Sequence, residues 1–133
     1  MSDDLDYLRA RIPDYREYSE EAARHDSDMR IRAFAGERLT EARTRLDVEA
    51  DGSLKESVDA VLMRCMFTDQ VFIHNFEHAD LQPAMIAALV RADRSLVTLA
   101  ERLSTVSIAE LPQLLHEIDE QFDYRRAPVP IAM

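Results

Sequence analysis

A short run of ionisable residues near the middle of the chain has the spacing of a metal or acid–base site. His74, Glu77 and His78 follow the order H-x-x-E-H. Residues four apart share one face of a helix, so the two histidines can present two imidazole nitrogens to one cation. Glu77 falls on the same side, as a further ligand or as a general base that activates a bound water. The pattern predicts a site for a divalent metal such as zinc or iron.

His25 extends this cluster if the helices on either side of Gly52 form a hairpin. Residue i of the first helix then lies opposite roughly residue 104 − i of the second, which brings His25 close to position 79. A structural interpretation competes with the metal site, because histidines near a helix C-terminus complement the dipole and bond the last carbonyls. Inverted zinc proteases share the five-letter order, but five residues do not indicate membership of those much larger enzymes.

Two other side chains border the main apolar face of the helix that contains this cluster. Asp69 lies between Cys65 and Phe72, where an unpartnered carboxylate would be costly, so we expect it to be a buried polar residue paired with an arginine. The candidate partners are Arg32, Arg38 and Arg64. Cys65 has no histidine at helical spacing, which favours an inert core thiol over a nucleophile.

The same helix is apolar on its opposite side as well, where Met63, Phe67 and Val71 lie. A helix with two apolar faces is central to its domain or is covered on one face by a partner, so these residues are predicted to form an interface. Tyr15 and Tyr18 have two interpretations. They either anchor an interface or cover the end of the core.

The elements that must position these residues are helices. Apolar residues recur at three- and four-residue steps, and turn residues are scarce, which predicts an all-α, up-down bundle. Four main helices are expected, over residues 14–50, 54–79, 83–105 and 108–124, with a short N-terminal helix before Pro13. The low helix propensity of His25–Asp28 allows a break in the first. We expect one domain over residues 1–126 and a non-helical tail over 127–133.

Composition excludes several classes of function. The 133 residues carry a net charge of −10 without a run of basic residues, which argues against nucleic-acid binding. No stretch is apolar enough for a membrane span, and the lone cysteine with an acidic N-terminus favours the cytoplasm. All but one of the 16 basic residues are arginine, which is typical of a GC-rich bacterial genome.

These observations favour a non-enzymatic interaction or regulatory protein with no cofactor, which presents helix faces to a second copy of itself or to another protein. We expect a homodimer. The alternative is a metal- or small-ligand-binding bundle that uses His25, His74, Glu77 and His78, and a metal-dependent enzyme belongs to this class.

Overall fold

The computed structural model describes residues 2–49, 52–66 and 78–126, and these residues form five α-helices and no strand. The helices are α1 (Ser2–Arg11), α2 (Arg24–Glu49), α3 (Gly52–Met66), α4 (Pro83–Arg102) and α5 (Leu111–Arg126). The predicted all-α bundle with a short N-terminal helix is confirmed. None of the helices in these ranges is long and apolar enough to cross a membrane.

Two antiparallel hairpins make up the bundle, one of α2 with α3 and one of α4 with α5. They lie side by side, so that α2 also packs on α4, and α3 on α5, while α1 covers α4. Each of the five helices contributes apolar side chains to the core between them. Its largest fully buried apolar side chains are Tyr15, Tyr18, Phe122, Leu8, Ile31, Leu39, Leu46, Leu89, Leu96 and Leu103.

The first long helix is shorter than the predicted 14–50. Residues 12–20, which we call the strap, are irregular, and a 3₁₀ turn at Glu21–Ala23 leads into α2. Side chains donate hydrogen bonds to strap carbonyls that would accept from backbone N–H groups in a helix. Arg9 Nε donates to the carbonyl of Tyr15 at 3.1 Å, and Arg24 Nε donates to that of Tyr18 at 2.8 Å. Side-chain hydrogen bonds therefore replace the backbone bonds that the helical pattern predicted over the strap.

The other helix boundaries differ by a few residues. Residues 78 and 79 are bends, so the helix predicted over 54–79 does not reach its expected end, and residues 67–77 lie outside the described ranges. Ser107 and Glu110 form one half of a capping box, because Glu110 N donates to Ser107 Oγ at 3.3 Å. The Ser107 hydroxyl in turn donates to the Glu110 carboxylate at 2.9 Å. This box caps a turn, and α5 begins at Leu111 instead of residue 108. The predicted tail, 127–133, is outside the described residues.

Candidate functional site

His78 lies beside the start of α2, where the hairpin register predicted the cluster to form. Its Nδ1 is 2.7 Å from Glu21 Oε1, and Arg24 Nη1 donates to the carbonyl of Ala79 at 2.6 Å. His25 is exposed on the first turn of α2. His74 and Glu77 lie outside the described residues. Within the described ranges, no group of three or more His, Cys, Asp or Glu side chains is placed to hold a metal.

The interface and buried-polar predictions fall partly outside the described residues. Phe67, Asp69 and Val71 are among those not described. Met63 is described, and 56% of it is exposed. Two of the arginines proposed as partners for Asp69 have carboxylates of their own. Arg64 bonds Asp119 and Asp123 of α5, and Arg32 bonds Asp28 of α2.

Tyr15 and Tyr18 are almost completely buried, which corresponds to the core interpretation of the two tyrosines. Both hydroxyls donate to the same atom, Asp93 Oδ2 in α4, at 2.8 Å and 2.5 Å. Their rings meet edge to face, with centroids 6.4 Å apart. The strap is thus fastened to the middle of the bundle by two hydrogen bonds to one carboxylate.

Arg125 supplies the cation of this polar centre, which we define as Tyr15, Tyr18, Asp28, Asp93 and Arg125. Its Nε donates to Asp93 Oδ1 and its Nη2 to Asp28 Oδ1, each at 2.7 Å. The side chains of all three charged residues are at most 1% exposed. Arg32 then neutralises Asp28 from the same helix, with Nε 3.0 Å from Oδ2. Two carboxylates therefore face two guanidinium groups, and the charge is balanced.

Burial shapes the protonation of the polar centre. It raises the pKa of Asp93, while Arg125 and the two tyrosine hydrogen bonds act in the opposite direction. Burial and the Asp93 carboxylate raise the pKa of both tyrosines well above the usual value, so both stay neutral donors. For Arg125, burial lowers the pKa, but Asp93, Tyr18 and Asp28 raise it further, and the group stays charged.

The side chains of the polar centre are buried, and they form hydrogen bonds with one another. Asp93 and Tyr18 are each 0% exposed. Polar residues held in this way fix one arrangement of the elements around them, since each carboxylate oxygen has a donor. The centre joins the strap, α2, α4 and α5 in a single network.

Sequence reasoning missed Asp93 and Arg125, although a signal for both was present. Asp93 follows the buried Leu89 by four residues and precedes the buried Leu96 by three, so it occupies the apolar seam of α4. Arg125 lies seven residues after Ile118 and continues the seam of α5 in the same way. Opposite charges on two facing seams indicate a buried ion pair.

A groove opens to solvent between α2 and α3, on the outer side of the hairpin. We call this the methionine groove; it has a volume of about 510 Å³. Its lining includes Met29, Ala33, Gly36, Leu62, Cys65 and Met66. The two methionines remain 49% and 70% exposed. Because thioether side chains are flexible and polarizable, such a surface adapts to the shape of an apolar partner.

Cys65 forms part of the floor of this groove and is an inert thiol, as expected. It is 5% exposed, and burial raises its pKa to about 12, although Arg32, Arg125 and Arg64 act in the opposite direction. A thiol in this state is almost entirely protonated near neutral pH and is a poor nucleophile.

The comparisons with known proteins give no further indication of function. No protein-family model matches the sequence. Searches of curated proteins and of solved structures likewise gave no significant match. A function for this chain therefore has to be inferred from its own geometry, that of the polar centre and of the methionine groove above all.

Proposed function

We propose that this protein is a non-enzymatic interaction module that pairs with a second copy of itself through the methionine groove. The observation that carries the proposal is the clustering of exposed apolar side chains. Among the described residues, the exposed large hydrophobic side chains are Met29, Met63, Met66 and Ile108, and the first three belong to the α2–α3 hairpin. Clusters of this kind mark interaction sites more often than isolated apolar residues do.

The shape of the groove supports a second copy as the partner. Met63 and Met66 are three residues apart on α3 and project from one side of that helix, while Ala33 and Gly36 leave a shallow recess on α2. A two-fold dimer brings the same patch of both copies together, so a patch with both knobs and a recess can complement itself. Small residues in the recess let a neighbouring helix approach closely.

Sedimentation velocity on the purified chain from 5 to 200 µM tests this proposal. We expect a dimer at tens of micromolar and a monomer for Met66→Glu, because the two-fold axis places two new charges in one apolar contact. Ile108→Glu is the matched control, since Ile108 is 41% exposed and lies between α4 and α5. It should leave the dimer intact. A wild-type chain that is monomeric at 200 µM contradicts the homodimer.

The alternative function is a divalent-metal site, and one observation favours keeping it. The contact between His78 and Glu21 supports the hairpin register that places His25 near the predicted cluster of His74, Glu77 and His78. Zinc and iron analysis of untagged protein tests this alternative. A stoichiometric metal that is lost in His78→Ala supports it, and protein without metal whose melting temperature is unchanged by added zinc rules it out.

A further inference from the structure

A second cavity lies where α1 and the strap meet the first half of α4. It has a volume of about 540 Å³, within the usual range of small-molecule sites. Its apolar lining comes from Leu5 of α1 and from Pro83, Ile86, Ala87 and Val90 of α4. We refer to it as the α1–α4 pocket. Neither the polar centre nor the methionine groove includes any of these residues.

Two opposite charges line this pocket without pairing. Glu17 of the strap and Arg91 of α4 both contribute to its wall and both are partly buried. In the part of the chain that the structure describes, Arg91 and Glu17 have no ion-pair or hydrogen-bonding partner for their side chains. A third charge in the wall, Asp4, differs because its Oδ1 accepts a hydrogen bond from Arg94 Nη1 at 2.9 Å.

The unpaired charges of Glu17 and Arg91 contrast with the paired charges of the polar centre. In the polar centre, each carboxylate meets its arginine within 3.0 Å. Glu17 and Arg91 line the same cavity but do not form an ion pair with each other, so each presents unused hydrogen-bonding capacity to a ligand. Partial burial strengthens the interaction of such groups with a bound charge, because the surroundings screen it less than water does.

We propose that the α1–α4 pocket binds a small zwitterion with an apolar body, of the chemical class of the aliphatic α-amino acids. Its ammonium group would donate to the Glu17 carboxylate, and its carboxylate would accept from the Arg91 guanidinium. The aliphatic side chain would lie against Ile86, Ala87 and Val90. A ligand of only one charge would leave either Glu17 or Arg91 without a partner, which lowers its affinity.

NMR titration of ¹⁵N-labelled protein with three probes of matched shape tests the proposal. The probes are L-leucine, 4-methylpentanoate, which lacks the ammonium group, and 3-methylbutylamine, which lacks the carboxylate. We expect leucine to perturb the amides of Ile86 and Val90 and to bind about ten-fold more tightly than either analogue.

Variants assign each charge to its own partner. Arg91→Gln should weaken leucine and 4-methylpentanoate about ten-fold and leave the amine unchanged, while Glu17→Gln should weaken leucine and the amine only. Ala87→Phe should block all three probes by filling the pocket. Arg102→Gln is the matched control, because Arg102 is exposed on the same helix outside the pocket.

Several results would overturn the inference. Equal affinities for the three probes would show a merely apolar cavity, and leucine binding that survives both charge variants would place the ligand elsewhere. The absence of amide shifts in α4 at 20 mM leucine would also contradict it. The Met66→Glu variant should bind leucine like the wild type, so that failure of the dimer and failure of the pocket are distinguishable.

Discussion

The polar centre and the methionine groove lie on two sides of α2 and differ in which side chains are exposed to solvent. Charged side chains are buried in the first, and apolar side chains are exposed in the second. Asp28 is 1% exposed and takes charge into the interior, whereas the next residue, Met29, leaves about half of an apolar side chain in solvent. The buried carboxylates of Asp28 and Asp93 accept hydrogen bonds from guanidinium groups and hydroxyls. Apolar surface remains exposed where no described part of the chain covers it. The first region joins four elements of the fold, and the second is the surface that we propose as the dimer interface.

Removing the cation of the polar centre should have the largest effect. Arg125→Met keeps much of the side-chain volume but leaves Asp93 and Asp28 buried with one fewer guanidinium group. We expect a loss of about 3–5 kcal/mol in the free energy of unfolding, because an uncompensated buried charge is costly. Urea denaturation at pH 7 measures it.

The matched control for this variant is Arg94→Met. Arg94 also forms an ion pair, with Asp4, but 40% of its side chain is exposed. The same substitution should cost about 1 kcal/mol or less there. If both variants lost equal stability, the polar centre would contribute no more than a surface ion pair.

Removing one tyrosine hydroxyl should have a smaller effect that depends on pH. Tyr18→Phe deletes a hydrogen bond that lowers the pKa of Asp93 against the effect of burial, so the pKa rises further. When folding raises the pKa of a carboxyl group, the group makes its full contribution to the free energy of unfolding below the pKa of the unfolded state. This contribution is lost as the pH rises through the pKa of the folded state. We therefore expect a deficit of about 1–3 kcal/mol near pH 8 that shrinks toward pH 4.

Urea denaturation of wild type and Tyr18→Phe across this pH range provides the measurement. Tyr7→Phe is the control, because the Tyr7 hydroxyl donates to Glu101 at 2.9 Å in a partly buried position. Its deficit should be smaller than that of Tyr18→Phe at pH 8. A Tyr18→Phe deficit that is constant with pH would mean that Asp93 does not couple to this hydroxyl.

The smallest effect, of opposite sign, is expected in the methionine groove. Gly36→Ala adds a Cβ that would meet Cys65 Cβ at 3.7 Å and Leu62 Cδ1 at 3.8 Å, which are ordinary contact distances. Because alanine has the higher helix propensity, the variant should gain about 0.5–1 kcal/mol. Thermal unfolding at protein concentrations below those at which the dimer is expected measures this gain. A destabilised Gly36→Ala monomer would show that α2 and α3 pack more tightly there than the distances indicate.

The sequence predicted the helices better than it predicted their contacts. Apolar periodicity identified the bundle, and the turn near Gly52 placed position 79 beside the start of α2, where Arg24 bonds the carbonyl of Ala79. The pattern failed over the strap, because Tyr15 and Tyr18 turn inward to a carboxylate that is 75 or more positions away. Local spacing carries no information about such a distant partner.

The spacing of Asp28 and Arg32 in α2 is also misleading, because their burial depends on a helix that is distant in sequence. Asp28 and Arg32 have the spacing of a solvent-exposed helical pair, and only the approach of α5 shows that they lie inside. The α1–α4 pocket was not predicted either, since Glu17 and Arg91 become neighbours only when the strap folds onto α4. The side of α3 on which Met63 lies could be predicted, because it depends on the period of a single helix, and its role in an interface stays a prediction.

The polar centre also has a consequence for the order in which the chain assembles. Arg125 lies 97 positions after Asp28 and 107 after Tyr18, so it is the last of the group to be synthesised. Until α5 is in place, Asp93 lacks its cation and favours hydration over burial. We therefore expect water to leave the middle of the bundle late in folding, because contacts this distant in sequence slow folding. We also expect the strap and α5 to reach their final positions together, because Tyr18 accepts a hydrogen bond from Arg125.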